Sequence, residues 1–248
     1  QHLPPTYPEY STPEEGVIGR GELLKSLLSQ PNIASKEYWV RQYDHEVIAQ
    51  TVIKPFVGKD ADAPGDSAVF TPIIGSKHGV VVSCGMAPRY SDIDAAAMAS
   101  AAVDEAVRNA VCAGVNLEKI AGLDNFCWPD PIESNKTPDG KYKLAQLVRA
   151  NRALEEICRG YRLPCISGKD SMKNDYGQGE GKISIPPTLL FSLFGDHPDV
   201  TFAQTSDFKT PHDSIYLIGV TSQELGASEL AFMLSNLQQT GGIGGNVP

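Results

Sequence analysis

Apolar positions along the chain fall into runs with two different periods. Leu23, Leu24, Leu27 and Leu28 recur at helical spacing and predict a short helix over Glu22–Gln30. Gly79–Cys84 is almost continuously apolar, with Val80, Val81 and Val82 in a row, and predicts a strand buried on both faces. Ser67–Pro72, Ile120–Leu123, Leu163–Ile166, Thr188–Phe194 and Ile215–Val220 predict further strands. Two long helical stretches lie among them. The first, about Ile93–Ala113, is alanine-rich; Asp92 or Asp94 can cap its start, and Gly114 ends it. The second, Lys143–Gly160, carries Leu144, Leu147, Val148, Leu154, Ile157 and Cys158 at helical spacing, with Gly160 near its end. Tyr38–Lys54 mixes aromatic, charged and β-branched residues and predicts no single element. The order strand, strand, helix, strand, helix, strand, strand gives an α+β fold, a mixed sheet whose helices cover one face.

Punctuation divides the chain. Pro4, Pro5, Pro8 and Pro13 make an extended start, so 1–59 reads as a connector with one short helix. Residues 60–212 form the main α/β domain, opening in the turn-rich loop Asp60–Asp66. His197–Asp213 is polar with two prolines and reads as a junction. One strand and one helix after 213, followed by the glycine-rich Gln239–Pro248, are too little for a core, so 213–248 reads as the start of a second, truncated domain.

Composition narrows the function classes. The 248 residues carry 21 Lys and Arg against 30 Asp and Glu, a net charge of −9, which excludes a general nucleic-acid binder. Hydrophobic residues are 41% and charged residues 21%, the balance of a globular chain. No apolar run approaches the roughly 20 residues that span a bilayer, and no signal-peptide pattern opens the sequence. The five cysteines are widely spaced without C-x-x-C, which reads as buried thiols in a reducing, cytoplasmic compartment and not as a disulfide framework or zinc site. The five histidines are scattered and form no H-E-x-x-H.

Chemistry concentrates at a few places. Glu105 and Asn109 stand at i and i+4 on the alanine-rich helix, on the stripe that also holds Met98 and Ala102. Asp104 and Arg108 form a second such pair, so Arg108 satisfies Asp104 while Glu105 has no cation four residues on. Two readings of Glu105 and Asn109 stand: a solvated helix face, or two oxygen ligands for a hard cation such as Mg²⁺. Asp66, where a glycine-containing loop enters a strand, is a third oxygen ligand or an ordinary Asx turn. Asp124 follows an apolar strand, where ligands gather in α/β layers or where a turn is capped. Ser167-Gly168-Lys169-Asp170-Ser171 follows another strand; it offers close backbone approach, a point charge and a hydroxyl to phosphate, without the Walker spacing. No nucleophile elbow occurs, so any ammonia taken from glutamine is made elsewhere.

Five motifs then appear in order: Gly65-Asp66-Ser67-Ala68-Val69, Cys84-Gly85-Met86-Ala87-Pro88-Arg89-Tyr90, Glu105-x-x-x-Asn109, Ser167-Gly168-Lys169-Asp170-Ser171 and Ile185-Pro186-Pro187-Thr188. Together they resemble the phosphoribosylformylglycinamidine synthase family, as do Arg41–Glu46 upstream and Leu225–Leu230 downstream. The resemblance implies an aminoimidazole ribonucleotide synthetase-like N-terminal domain plus the start of the domain after it, from the second half of a two-half synthetase. It implies an ATP-dependent ligase of purine biosynthesis that converts formylglycinamide ribonucleotide using glutamine-derived ammonia. It implies Mg²⁺ at Asp66, Glu105 and Asn109, nucleotide (ATP or ADP) at Asp124 and Gly168, and substrate at Ser171; Gly65 and Lys169 are expected to join the nucleotide contacts. It implies two partners, the first half of the synthetase and a glutaminase subunit or domain, and no nucleic acid or membrane. Small-subunit forms of the family have an Asn magnesium ligand where this chain has Lys169, which cannot ligate Mg²⁺ but can neutralise phosphate. Three readings follow: part of the ligase site, a nucleotide-holding half that does not itself react, or another synthetase of the superfamily.

Overall fold

The computed structural model describes residues 19–42, 46, 48–177, 181–222 and 224–237. The proline-rich start, Tyr43-Asp44-His45 of the upstream motif, Gln178–Glu180 and the Gln239–Pro248 loop lie outside them.

The connector supplies helices α1 (Arg20–Leu28) and α2 (Glu37–Val40), neither with a buried residue. Strands β1 (Thr51–Ile53), β2 (Phe56–Val57), β3 (Ala63–Pro64), β4 (Ala68–Phe70) and β5 (Gly79–Gly85) follow, then α3 (Ala95–Cys112) and β6 (Ile120–Cys127). Helix α4 (Gly140–Tyr161), strands β7 (Cys165–Ser171), β8 (Asp175–Tyr176), β9 (Ile183–Ser184) and β10 (Thr188–His197), and helix α5 (Glu229–Leu237) complete the order. Six strands form one mixed sheet in the order β1-β4-β5-β10-β6-β7, with β6 and β7 parallel and the other neighbours antiparallel.

Helices α3 and α4 cover one face, as the α+β pattern predicts. On that face Val69, Val81, Phe126, Leu189, Phe191 and Leu193 are buried against Met98, Ala102, Val103 and Ala106 of α3 and Ala150 and Leu154 of α4. The other face carries Val82, which is 38% exposed. This corrects the reading of Gly79–Cys84 as buried on both sides: β5 alternates, because its antiparallel partners leave one sheet face uncovered.

Helix α3 begins where Asp94 accepts a hydrogen bond from the Ala96 amide at 2.8 Å, and Arg149 of α4 binds the same carboxylate at 2.7 Å. Gly114, at φ +95°, turns the chain away after it. Helix α3 lies unusually close to β5. A Cβ on Gly85 would stand 2.1 Å from the Ala102 carbonyl oxygen and 2.8 Å from the Ala106 nitrogen, both backbone atoms. Ser83 donates to the Ala106 carbonyl at 2.7 Å beside this contact.

Several boundaries differ from expectation. Helix α4 runs through Gly160 and ends on Arg162 in the left-handed region. Strands β6 and β7 extend beyond their apolar cores because ladder pairing, not hydrophobicity, carries the polar ends. Ile215–Val220 pairs with nothing among the described residues and stands 79–94% exposed at its named apolar side chains. Of the cysteines, only Cys158 is buried, which corrects the expectation of five buried thiols.

Helix α5 packs back on earlier segments. Glu229 accepts from Asn32, just after α1, and from Arg89 before α3, both at 2.7 Å. The Arg89 guanidinium also lies 3.5 Å from the Phe232 ring centre. Among the described residues no helix is long and apolar enough to cross a membrane.

The α3–β5 contact gives the first prediction. Gly85→Ala should destabilise the chain by about 2–3 kcal/mol, since two backbones must separate. Chemical denaturation of both chains measures it; an unchanged midpoint would contradict the close packing.

Candidate functional site

Glu105 is exposed and Asn109 half-buried, so the pair lies on an accessible part of α3, yet both side chains bind the backbone beside them. Ala102 and Met98, one and two turns earlier on the stripe, are fully buried against the sheet. As α3 passes the end of β5, the stripe turns polar and binds the strand's backbone. Glu105 Oε2 accepts from the Met86 amide at 2.8 Å, and Asn109 Nδ2 donates to the Cys84 carbonyl at 3.1 Å. Each side chain is thus held through one of its two terminal atoms. Burial, and then the Glu105 charge, push the Cys84 thiol and the Tyr90 phenol up, so both stay protonated beside that carboxylate.

Asp66 arrives at the same end of the sheet. β4 pairs Ala68 with Val82 antiparallel to β5, so the loop preceding β4 meets the end of β5 that Asn109 and Glu105 contact. Gly65 is fixed there by its amide bond to the Pro55 carbonyl, 3.0 Å. Gly65, Asp66 and Ser67 line a pocket of about 350 Å³ with Cys112 and Ala113, the C-terminal end of α3. A helix C-terminus favours cations. Two carboxylates and an amide oxygen suit Mg²⁺, which takes hard oxygen donors and keeps water or phosphate oxygens in the remaining positions. Among the described residues no group of three or more His, Cys, Asp or Glu side chains is placed to hold a metal ion.

The second group sits on β6 and β7. Asp124 and Gly168 are direct cross-strand partners. A Cβ on Gly168 would meet Asp124 Oδ1 at 2.7 Å, so glycine makes room for the carboxylate. Asp124 lies mid-strand rather than after it, a correction of the expected end position. Likewise Ser167–Ser171 is itself strand β7, not a loop after a strand. Burial and the neighbouring Asp170 push Asp124 up, opposed by a backbone hydrogen bond. Asp124 opens into a surface pocket of about 720 Å³ under α4, lined also by Cys158, Arg159, Arg162 and Cys165. Strand alternation puts Lys169 and Ser171 on the opposite face, where they pair with Asn125 and Cys127 and where Lys169 donates to the Ser171 hydroxyl.

The structure therefore gathers Asp66, Glu105 and Asn109 at one sheet end and Asp124 with Gly168 at a strand pair. It separates Lys169 and Ser171 from Asp124 by the thickness of the sheet. Sequence reasoning missed the backbone groups of Cys84 and Met86, which only the α3–β5 crossing brings into play. It also missed Arg159 and Arg162, whose place beside Asp124 depends on the left-handed turn after α4.

Residues 64–185 match the sequence profile of the family described as AIR synthase related protein, N-terminal domain. Outside this stretch the similarity continues. Over 206 residues, 83% of this chain, the sequence is 37% identical to phosphoribosylformylglycinamidine synthase subunit PurL of Alkaliphilus metalliredigens. It is 33% identical over 214 residues to the subunit of the same name from Deinococcus radiodurans, and 30% identical over 209 residues to that of Thermoplasma volcanium. The chain spans only about a quarter of these relatives, 25–26% of their length. The fold is shared with T. maritima PurL complexed with AMPPCP, at a TM-score of 0.52 and 22% identity, covering 82% of this chain and 28% of that one. With T. maritima PurL complexed with ADP the TM-score is 0.50 and the identity 24%, over the same shares. The stretch matched by that profile thus contains every singled-out site residue from Gly65 to Ser171.

Its Asp124 carboxylate gives a second prediction. Because the folded value lies above the ordinary one, the folded chain holds more protons between the two, and stability falls as pH rises through that interval. Asp124→Asn should be more stable than the parent chain at neutral pH, with the difference shrinking on acidification. Parallel denaturation curves across that range measure it; an equal pH slope for both chains would contradict it.

Proposed function

We propose that the chain is the nucleotide- and Mg²⁺-holding part of a phosphoribosylformylglycinamidine synthase. That enzyme would be an ATP-dependent carbon–nitrogen ligase of purine biosynthesis, turning formylglycinamide ribonucleotide into formylglycinamidine ribonucleotide. The observation that carries the reading is the alignment of relatives named PurL over 83–84% of the chain at 30–37% identity. The AMPPCP and ADP complexes of T. maritima PurL support the choice of nucleotide.

In this reading Asp66, Glu105 and Asn109 hold Mg²⁺. The ion supplies charge neutralisation at phosphoryl oxygens. The chain's own residues do the positioning. The Met86 amide fixes the Glu105 carboxylate, and the Cys84 carbonyl fixes the Asn109 amide nitrogen, which leaves its oxygen as the donor for the ion. Gly65 lets nucleotide approach the backbone, and Asp124, given room by Gly168, accepts hydrogen bonds from it, while Lys169, on the opposite face of the sheet, offers its point charge to a phosphate there. Ser171 presents its hydroxyl to substrate. Phosphoryl transfer to a formamide oxygen asks a protein for position and charge rather than a nucleophile. Ammonia comes from glutamine in a glutaminase subunit or domain, and the first half of the synthetase completes the assembly. A cytoplasmic location follows, in keeping with five free thiols.

A second reading, nucleotide held without turnover, is favoured by Lys169. Its ammonium cannot ligate Mg²⁺ and is engaged with Ser171, the residue assigned to substrate.

Calorimetric titration of the chain with ADP tests the proposal. Binding should require Mg²⁺ and weaken tenfold or more in Glu105→Ala and in Asp66→Ala, about 1.4 kcal/mol or more each. Absence of binding by the folded chain, or binding indifferent to Mg²⁺ and to both substitutions, would overturn the assignment.

A further inference from the structure

Cys158 and Cys165 face each other where α4 gives way to β7. Their sulphurs are 3.8 Å apart, and among the described residues no other two cysteine sulphurs are in contact. The geometry is local. Arg162 adopts the left-handed conformation at φ +54°, and the Leu163 amide bonds back to the Cys158 carbonyl at 2.8 Å. This short return lays the first residue of β7 over the last turn of α4. Cys158 is 8% exposed and packed in the core, whereas Cys165 is open to solvent.

We propose that Cys158 and Cys165 are a reversible oxidation site, a dithiol that a hydroperoxide converts to a disulfide at the wall of the Asp124 pocket. To bond, the sulphurs must close by about 1.8 Å from their present separation. The strand side can give. β7 is the sheet edge, and its ladder with β6 already shifts register between Gly122 and Leu123, next to the Cys165 pairing.

The roles of the two sulphurs differ. Burial pushes Cys158 up to about 12, and the neighbouring Cys165 sulphur adds to it. Burial raises Cys165 too, but the hydrogen bond from Cys158 opposes the rise. Asp124 raises both. Cys165 is therefore the sulphur that ionises and meets the oxidant. Its thiolate takes the terminal oxygen of hydrogen peroxide, giving a sulfenic acid and one water once the leaving hydroxide is protonated. The Cys158 sulphur then attacks that of Cys165. The S–O bond breaks, the Cys158 proton leaves with the hydroxyl, and a second water departs. Two thiols and one peroxide thus become one disulfide and two waters. Because both thiols lie above their usual range, the reaction is slow at neutral pH and accelerates as pH rises.

Both cysteines line the 720 Å³ pocket with Asp124, Arg159 and Arg162. Drawing them together pulls the end of α4 towards β7 and narrows the pocket beside the carboxylate.

The test uses the whole chain, reduced, then exposed to hydrogen peroxide, alkylated and digested with trypsin. Arg159 and Arg162 lie between the cysteines, so cleavage leaves Ala153–Arg159 and Leu163–Lys169 joined only if the bridge has formed. The linked pair should appear, form faster at higher pH, and vanish after dithiothreitol. It should be absent in Cys165→Ser, while in Cys158→Ser a sulfenic acid at Cys165 should be trapped by dimedone. The proposal fails if the exposed Cys84 and Cys112 oxidise while Cys158 and Cys165 remain thiols. It fails equally if Cys165 of the unaltered chain passes to sulfinic acid with no linked peptide.

Discussion

The absence of one side chain, at Gly85, sets the geometry of the rest. Helix α3 can approach β5 until the Ala102 carbonyl occupies the space of a Cβ only because position 85 has none. That approach buries the alanine stripe of the helix without leaving a gap, since small side chains on both partners shorten the distance between backbones. It also brings the next turn of the helix within hydrogen-bond reach of the strand's end. Glu105 and Asn109 then satisfy the Met86 amide and the Cys84 carbonyl, backbone groups that a strand leaves open where its ladder stops. The packing that stabilises the core and the placement of two oxygen donors are the same contact.

The β6–β7 pair shows a different balance. Here Gly168 again omits a side chain, but what fills the space is a carboxylate. Asp124 shares its sheet face with Phe126 and Phe191, both buried, and its charge is disfavoured by that setting. A charge kept against its local environment costs stability and is retained where it contacts something else. The two assigned groups therefore stand on different physical footing: Glu105 and Asn109 are tied to the backbone, whereas Asp124 waits half-desolvated beside a pocket.

Much of this was legible in the sequence. The alanine-rich helix, its Asp94 cap and its Gly114 stop follow from local chemistry, and the strand cores from apolar runs. Where local patterns misled, long-range pairing was responsible. Asp124 and Ser167–Ser171 read as loop because they are polar, yet the parallel ladder draws both into strands. Gly160 marks the neighbourhood of the helix end, but the left-handed turn itself falls on Arg162, a non-glycine residue that gives no such signal. Val80–Val82 looked buried throughout, because one sequence cannot reveal that a sheet leaves a face open. Glu105 and Asn109 were visible as a pair at helical spacing, but their partners are backbone atoms, which carry no signature in sequence. Lys169 and Ser171 read as one loop with Gly168; strand alternation divides them across the sheet.

The central claim is that α3 delivers Glu105 and Asn109 to the end of β5 as ligands for a hard cation, with Asp66 joining from the neighbouring loop. A crystal grown with ADP and Mn²⁺ in place of Mg²⁺ tests this most directly, through the anomalous signal of the metal. The account predicts a single strong peak bounded by oxygens of Glu105, Asn109 and Asp66. A peak beside Asp124 instead, with the β5 end empty, would contradict it.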